Sequence, residues 1–197
     1  MPDDSLLDRA RRGDLAAFNA LVEEHQAIVY NVCLRMLGSP AAAEDAAQEA
    51  FISAWRNLGS LRGDQFRAWL LRIAANACRD ELRRRSRRPA ASLQAAFEEG
   101  MAEPADPEPA PETSLLSAEL RGQVQEALLL LPEDQRLAVV LCDLQGLEYD
   151  EIARVTGTNI GTVKSRLSRG RARLRALLLA KPELLPEHFR LKSEGRT

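Results

Sequence analysis

The side chains with most chemical character lie towards the C-terminal end. Lys164, Ser165, Ser168 and Arg169 share one face of a helical pattern, and Arg166 flanks them. Ammonium, guanidinium and hydroxyl groups at this spacing are the types that reach base edges and phosphates in a DNA major groove. Arg171, Arg173 and Arg175 extend the cluster, and no Asp or Glu interrupts residues 164–175. A second basic run, Arg79, Arg83, Arg84, Arg85, Arg87 and Arg88, lies in the first half of the chain. Two such clusters suit two contacts on one polyanion. The chemistry on offer is recognition by charge and hydrogen bonding.

The elements that must position the C-terminal cluster run from Tyr149 to Arg169. Ile152 and Val155 are the apolar positions of a first helix, and Ala153 is small where a second helix would cross it. Gly157 suits a tight turn that needs positive φ. Thr158 or Asn159 can cap the second helix. Val163, Leu167 and Leu174 then recur at spacings of four and seven on its inner side, opposite the basic face. The pattern is a helix-turn-helix.

The 197-residue chain carries 27 Lys+Arg against 29 Asp+Glu, a formal net charge of -2 that hides a strong asymmetry. Between Pro89 and Ser117 stand six acids, no Lys or Arg, and five of the ten prolines. Proline blocks helix and like charges repel, which predicts an extended acidic linker. Apolar recurrence on either side is helical, and strand-like alternation is nearly absent. Residues 3–88 predict at least four helices: Ser5–Arg12, Asp14–Leu37, Pro40–Leu58 and Gln65–Arg87. Helices at about Ser117–Leu130, Pro132–Leu144, Glu148–Thr156 and Asn159–Leu179 follow. The expected fold is all-α, with two small helical domains joined by an acidic Pro-rich linker and a helix-turn-helix in the second.

Catalytic and metal chemistry find little support. Cys33, Cys78 and Cys142 are far apart among apolar neighbours, so they read as core residues. His25 and His188 have no partners at ligand spacing, and nucleotide-binding, zinc-protease and hydrolase motifs are absent. No catalytic residue, metal or cofactor is expected. No apolar stretch approaches the roughly 18–20 residues of a membrane span. The acidic start, Met1-Pro2-Asp3-Asp4-Ser5, is unlike a signal peptide, so a cytoplasmic location without membrane insertion is expected.

Two motif sets, in order, carry a family resemblance. The first is Ala43-Glu-Asp-Ala-Ala-Gln-Glu-Ala-Phe51, then Trp55, then Phe66-Arg-Ala-Trp-Leu-Leu-Arg-Ile-Ala-Ala-Asn76 with its Arg-rich end. The second is Leu131-Pro-Glu-Asp-Gln-Arg136, Gly146-Leu-Glu-Tyr-Asp-Glu-Ile-Ala153 and Gly161-Thr-Val-Lys-Ser-Arg-Leu-Ser-Arg-Gly-Arg171. Over about residues 5–180 the chain resembles the extracytoplasmic-function (ECF) sigma factors of the sigma-70 family, initiation subunits of bacterial RNA polymerase.

The resemblance implies a region 2 domain over 1–88, a linker over 89–117, a region 4 domain over 118–180 and a tail over 181–197. It implies that Asp45, Gln48, Glu49 and Ile52 dock on core RNA polymerase, opposite a Phe51/Trp55 core stripe. It places Leu61, Asn76, Arg79, Asp80, Arg83 and Arg84 at the minus-ten promoter element, where a base is flipped from the duplex at an energetic cost that contacts must offset. The Asn76 amide suits a base edge, and the arginines suit phosphates of the opened strand. Asp80 either reads a base or pairs with a nearby Arg. Leu61 stands where relatives often have an aromatic. On the minus-thirty-five element, Lys164, Ser165 and Arg169 fall to base or near-base contacts, Arg166, Arg171 and Arg173 to phosphate, and Ser168 shares the DNA-binding face. Promoter DNA, core polymerase and an anti-sigma factor are the implied partners. The competing reading is a conventional helix-turn-helix regulator that binds duplex DNA without polymerase. The Asp45–Trp55 and Phe66–Arg88 segments disfavour it, since neither suggests a ligand pocket or a dimer seam.

Overall fold

The computed structural model describes residues 2–63, 65–87 and 111–180. All regular structure among them is helical. The first half holds α1 (Pro2–Arg11), α2 (Leu15–Leu37), α3 (Pro40–Asn57), a 3₁₀ turn (Leu58–Ser60) and α4 (Phe66–Arg87). The second holds α5 (Pro111–Leu129), α6 (Glu133–Val139), a π turn (Val140–Leu144), α7 (Tyr149–Thr156) and α8 (Ile160–Leu179). Among the described residues no helix is long and apolar enough to cross a membrane.

Local chemistry sets the helix ends. The Asp14 carboxylate accepts from the Ala17 amide at 3.1 Å and starts α2. Gly38, at φ 75°, ends it, its amide donating to the Leu34 carbonyl at 2.8 Å. Ser39 caps α3, and Pro40 takes the first-turn position where its missing N–H costs nothing. The inner side of α3 is almost wholly alanine: Ala43, Ala46, Ala47, Ala50 and Ala54 are buried. Small side chains there let α3 lie close to α2 and α4, which it contacts along its length. Phe18 meets Trp55 at 4.9 Å, so this aromatic stripe packs inward. His25 is buried too, its Nδ1 2.9 Å from the Leu21 carbonyl and its ring edge-on to Phe66.

Two features depart from the sequence-based expectation. Helix α5 begins at Pro111, inside the stretch expected to be linker, because a proline at the first position needs no donor. The rest of that stretch, 89–110, and the 181–197 tail lie outside the described residues. The helix expected over 132–144 is α-helical only to Val139. There the ladder widens, with the Gln145 amide donating to the Val140 carbonyl at 3.1 Å.

The two halves pack on each other, which composition alone did not foretell. Helix α7 lies along α4, and α5 and α6 abut the end of α2. Arg136 stitches this seam. Its guanidinium is buried and donates to the carbonyls of Met36 (2.5 Å) in α2, Leu129 (2.7 Å) and Leu131 (3.1 Å). Burial pulls its pKa down from the ordinary arginine value. Gln125 donates to the Leu34 carbonyl at 3.3 Å, and Arg67 to the Gln145 carbonyl at 3.0 Å.

Candidate nucleic-acid interface

Helix α8 starts at Asn159, whose Oδ1 accepts from the Thr162 amide at 2.8 Å. Of the two possible caps it is Asn159 that serves, while the Thr158 hydroxyl meets that of Thr156 at 2.9 Å. Gly157 supplies the turn at φ 65°. On the first helix of the pair, the Glu151 carboxylate reaches back to the Glu148 amide at 2.9 Å. Glu148 therefore sits in a working helix start.

Val163 and Leu167 are buried, which turns Lys164, Ser165, Ser168 and Arg169 outward. Among the described residues Arg169 bonds within this face, to the Ser165 carbonyl at 3.2 Å and its hydroxyl at 3.3 Å. Arg173 is exposed further along. Arg166 and Arg171 behave differently. Arg166 pairs with Asp134 at 2.5 Å, and Arg171 grips both Asp143 oxygens, at 3.0 and 2.5 Å. The Asp143 carboxylate holds the Arg171 pKa above its ordinary value. Burial, then the Asp143 charge, push the Cys142 thiol up.

The floor under this helix depends on Gly170. A Cβ there would stand 2.9 Å from Val139 Cγ2 and 3.2 Å from the Gln135 carbonyl oxygen, so α8 crosses α6 at backbone distance. Ala153, the small residue expected where the two helices of the pair cross, is half-buried.

On α4, Asn76 is exposed and Arg79 is not: its side chain retains 18% of its accessible surface. Arg79 donates to Glu133 at 2.9 Å, to Asp134 at 3.4 Å and to the Asn76 amide oxygen at 3.5 Å. Asp80 pairs with Arg83 at 3.3 Å, one of the two roles left open for it. Asp80, Arg83, Arg84 and Arg87 line a basic hollow of about 470 Å³. Leu61 is buried and, with Trp69 and Ala68, walls a cavity of about 440 Å³ rimmed by Arg62, Arg72 and Arg154. Arg154 belongs to α7, in the other half of the chain.

Asp45, Gln48, Glu49 and Ile52 are all exposed along one side of α3, opposite its alanine face. Ile52 keeps 42% of its surface open, although it is flanked by carboxylates. Among the described residues no three His, Cys, Asp or Glu gather as metal ligands would.

Sequence reasoning missed Glu133, Asp134, Arg136, Arg154 and Gly170. The first three lie in the Leu131–Arg136 motif, where acids opposite an arginine run offered a charge-complementarity signal. Arg154 and Gly170 matter only through helices that meet in space.

Residues 21–88 match the model of sigma-70 region 2, and residues 121–174 that of sigma-70 region 4. The RNA polymerase sigma-H factor of Pseudomonas aeruginosa is 41% identical over 174 residues, covering 86% of this chain and 90% of that one. The ECF RNA polymerase sigma-E factor of Escherichia coli K12 is 41% identical over 179 residues, covering 87% and 91%. CnrH, in complex with the cytosolic domain of CnrY, superposes with a TM-score of 0.65 at 28% identity, covering 91% of this chain and 98% of that one. The sigma factor RpoE of Bartonella quintana, in complex with the anti-sigma factor NepR, does so with a TM-score of 0.66 at 28% identity, covering 83% and 98%.

Proposed function

Because the chain belongs to the extracytoplasmic-function sigma factors of the sigma-70 family, we propose that it binds core RNA polymerase, recognises two promoter elements and promotes DNA melting. The docking face is Asp45, Gln48, Glu49 and Ile52 on α3. Asn76, Arg79, Arg83 and Arg84 of α4 take the opened minus-ten strand, and the Leu61 cavity takes a flipped base. Lys164, Ser165, Ser168 and Arg169 of α8 read the minus-thirty-five element, and Arg173 contacts phosphate. Arg166 and Arg171 join them where DNA phosphate displaces their present acid partners. The chain supplies binding energy and geometry, and covalent chemistry falls to the polymerase.

The observation that carries this reading is the open α3 face. Asp45, Gln48, Glu49 and Ile52 stand open together on one side of α3, opposite its buried alanines, and a polar face with an apolar side chain in it fits a protein docking surface. An anti-sigma protein is the further partner, as in the matched complex with NepR.

The test is binding of the labelled chain to sigma-free core polymerase. Ile52→Glu should weaken it at least tenfold, about 1.4 kcal/mol, with the melting temperature unchanged. Equal affinity for the variant and the parent would move the docking surface elsewhere.

A further inference from the structure

Arg11, the last residue of α1, reaches across 50 residues of sequence to the loop that walls the Leu61 cavity. Its Nη2 donates to the Leu61 carbonyl at 3.3 Å and to the Gly63 carbonyl at 2.5 Å, and its Nη1 donates to Asp8 at 3.2 Å. Helix α1 is itself anchored. Leu7 and Ala10 are buried, and Arg9 pairs with Asp14, the cap of α2, at 2.7 Å. On the side of the loop, the Leu61 amide donates to the Leu58 carbonyl at 3.1 Å and closes the 3₁₀ turn, after which Leu61 continues in extended backbone. Gly63 turns the chain at φ 73°, a conformation that favours glycine. Between the two carbonyls held by Arg11 stands Arg62, which lines the same cavity as Leu61, Trp69 and Arg72.

We propose that Arg11 is a positioning residue for base selection at the minus-ten element: it fixes the Leu61–Gly63 backbone, and with it the cavity wall that meets the flipped base. The proposal rests on the sigma-factor reading above and adds to it a residue outside the cavity. Carbonyls in a loop have no ladder to pair with, and each needs a donor. The planar guanidinium presents several donors in a fixed fork and takes two carbonyls at once, which a single ammonium does not hold in the same geometry. Holding both carbonyls on one nitrogen fixes the peptide planes that bracket Arg62 and Gly63. The directions of the Leu61 and Arg62 side chains follow from those planes. A wall that discriminates between bases must keep its shape while the base is out of the stack, because a wall that yields admits the wrong one. The arginines of α4 assigned to phosphate make their bonds elsewhere, to Glu133 and Asp80. Loss of Arg11 therefore lowers discrimination at the flipped base more than it lowers strand binding.

The test is transcription in vitro by the full chain with sigma-free core polymerase, from a library randomised only in the minus-ten element of a promoter that this protein uses. A fluorescent base analogue placed at each position of that element in turn marks the flipped base by its gain in emission. In Arg11→Ala, preference for the favoured base over the next at that position should fall about fivefold, while preference at the minus-thirty-five element stays that of the parent. Arg9→Ala removes an ion pair at the same end of α1 without touching the loop, and should keep the preferences of the parent throughout. Arg11→Lys keeps the charge but not the fork and should behave as Arg11→Ala. It replaces the alanine variant in the comparison if that one melts below the assay temperature. An unaltered preference at the flipped position in a folded, active Arg11 variant would overturn the proposal and leave the sigma-factor reading standing. Equal flattening in Arg9→Ala would also overturn it, tracing the effect to the docking of α1 as a whole. Absence of transcripts with the parent protein would remove the sigma-factor reading, and this proposal with it.

Discussion

Arg169 and Arg171 lie two residues apart on α8, yet the fold gives them different work. Among the described residues Arg169 bonds to Ser165 of its own helix, and it is exposed. Arg171 is held by both oxygens of Asp143, in a pair whose side chains keep 46% and 34% of their surface. Replacing each with alanine should therefore separate DNA affinity from stability. For Arg169→Ala, a lost base or phosphate contact costs about 1–3 kcal/mol, about five- to 150-fold in affinity. It also lowers the slope of log K against log salt by about 0.9 if the contact is to phosphate. For Arg171→Ala, a half-exposed ion pair contributes at most about 1 kcal/mol to stability. Its phosphate role requires Asp143 to release it, so its effect on DNA should be the smaller of the two. The assay is binding of polymerase-bound protein to an upstream-element duplex across a salt series, with thermal melting of the free chain alongside. Arg171→Ala lowering affinity and salt slope as much as Arg169→Ala, or more, would refute the assignment.

Further outcomes follow from the packing. Arg136→Ala leaves the Met36, Leu129 and Leu131 carbonyls without their donor, and denaturant unfolding should show a loss of about 3 kcal/mol; a loss under about 1 kcal/mol would mean that water replaces the guanidinium. Gly170→Ala adds helix propensity of about 1 kcal/mol, but its Cβ meets Val139 and the Gln135 carbonyl. A net loss of about 1 kcal/mol is therefore expected, and a gain in melting temperature would show that α6 yields. Asp14 has a pKa lowered by the Ala17 amide and then by Arg9. Its contribution is present above the unfolded value of about 3.9 and is lost as pH falls through the folded value. Asp14→Asn should flatten the acid limb of stability below about pH 4, and an unchanged limb would discount the cap.

Much of the architecture was legible because its determinants are local. Asp14, Ser39 with Pro40, Gly157 and Asn159 announce helix ends through side-chain acceptors and permitted φ values. The outward face of α8 follows from Val163 and Leu167 by spacing alone. What stayed hidden depends on residues distant in sequence. Glu133 and Asp134 read as ordinary first-turn acids until α4 brings Arg79 to them. Arg166 reads as one more basic residue until Asp134 claims it. Helix α5 reaches back to Pro111 because a first-turn proline tolerates helix, which the acidic, proline-rich composition of that stretch obscures.

The most direct test of the central claim is transcription in vitro with sigma-free core polymerase on a randomised promoter library, with and without this protein. The account expects start-site-mapped transcripts that share two spaced elements and appear only when the protein is added. Preference for the upstream element should fall in Lys164→Ala/Arg169→Ala, and strand opening should fall in Asn76→Ala. No transcripts from a folded protein that binds duplex DNA without polymerase would contradict it and favour a conventional regulator.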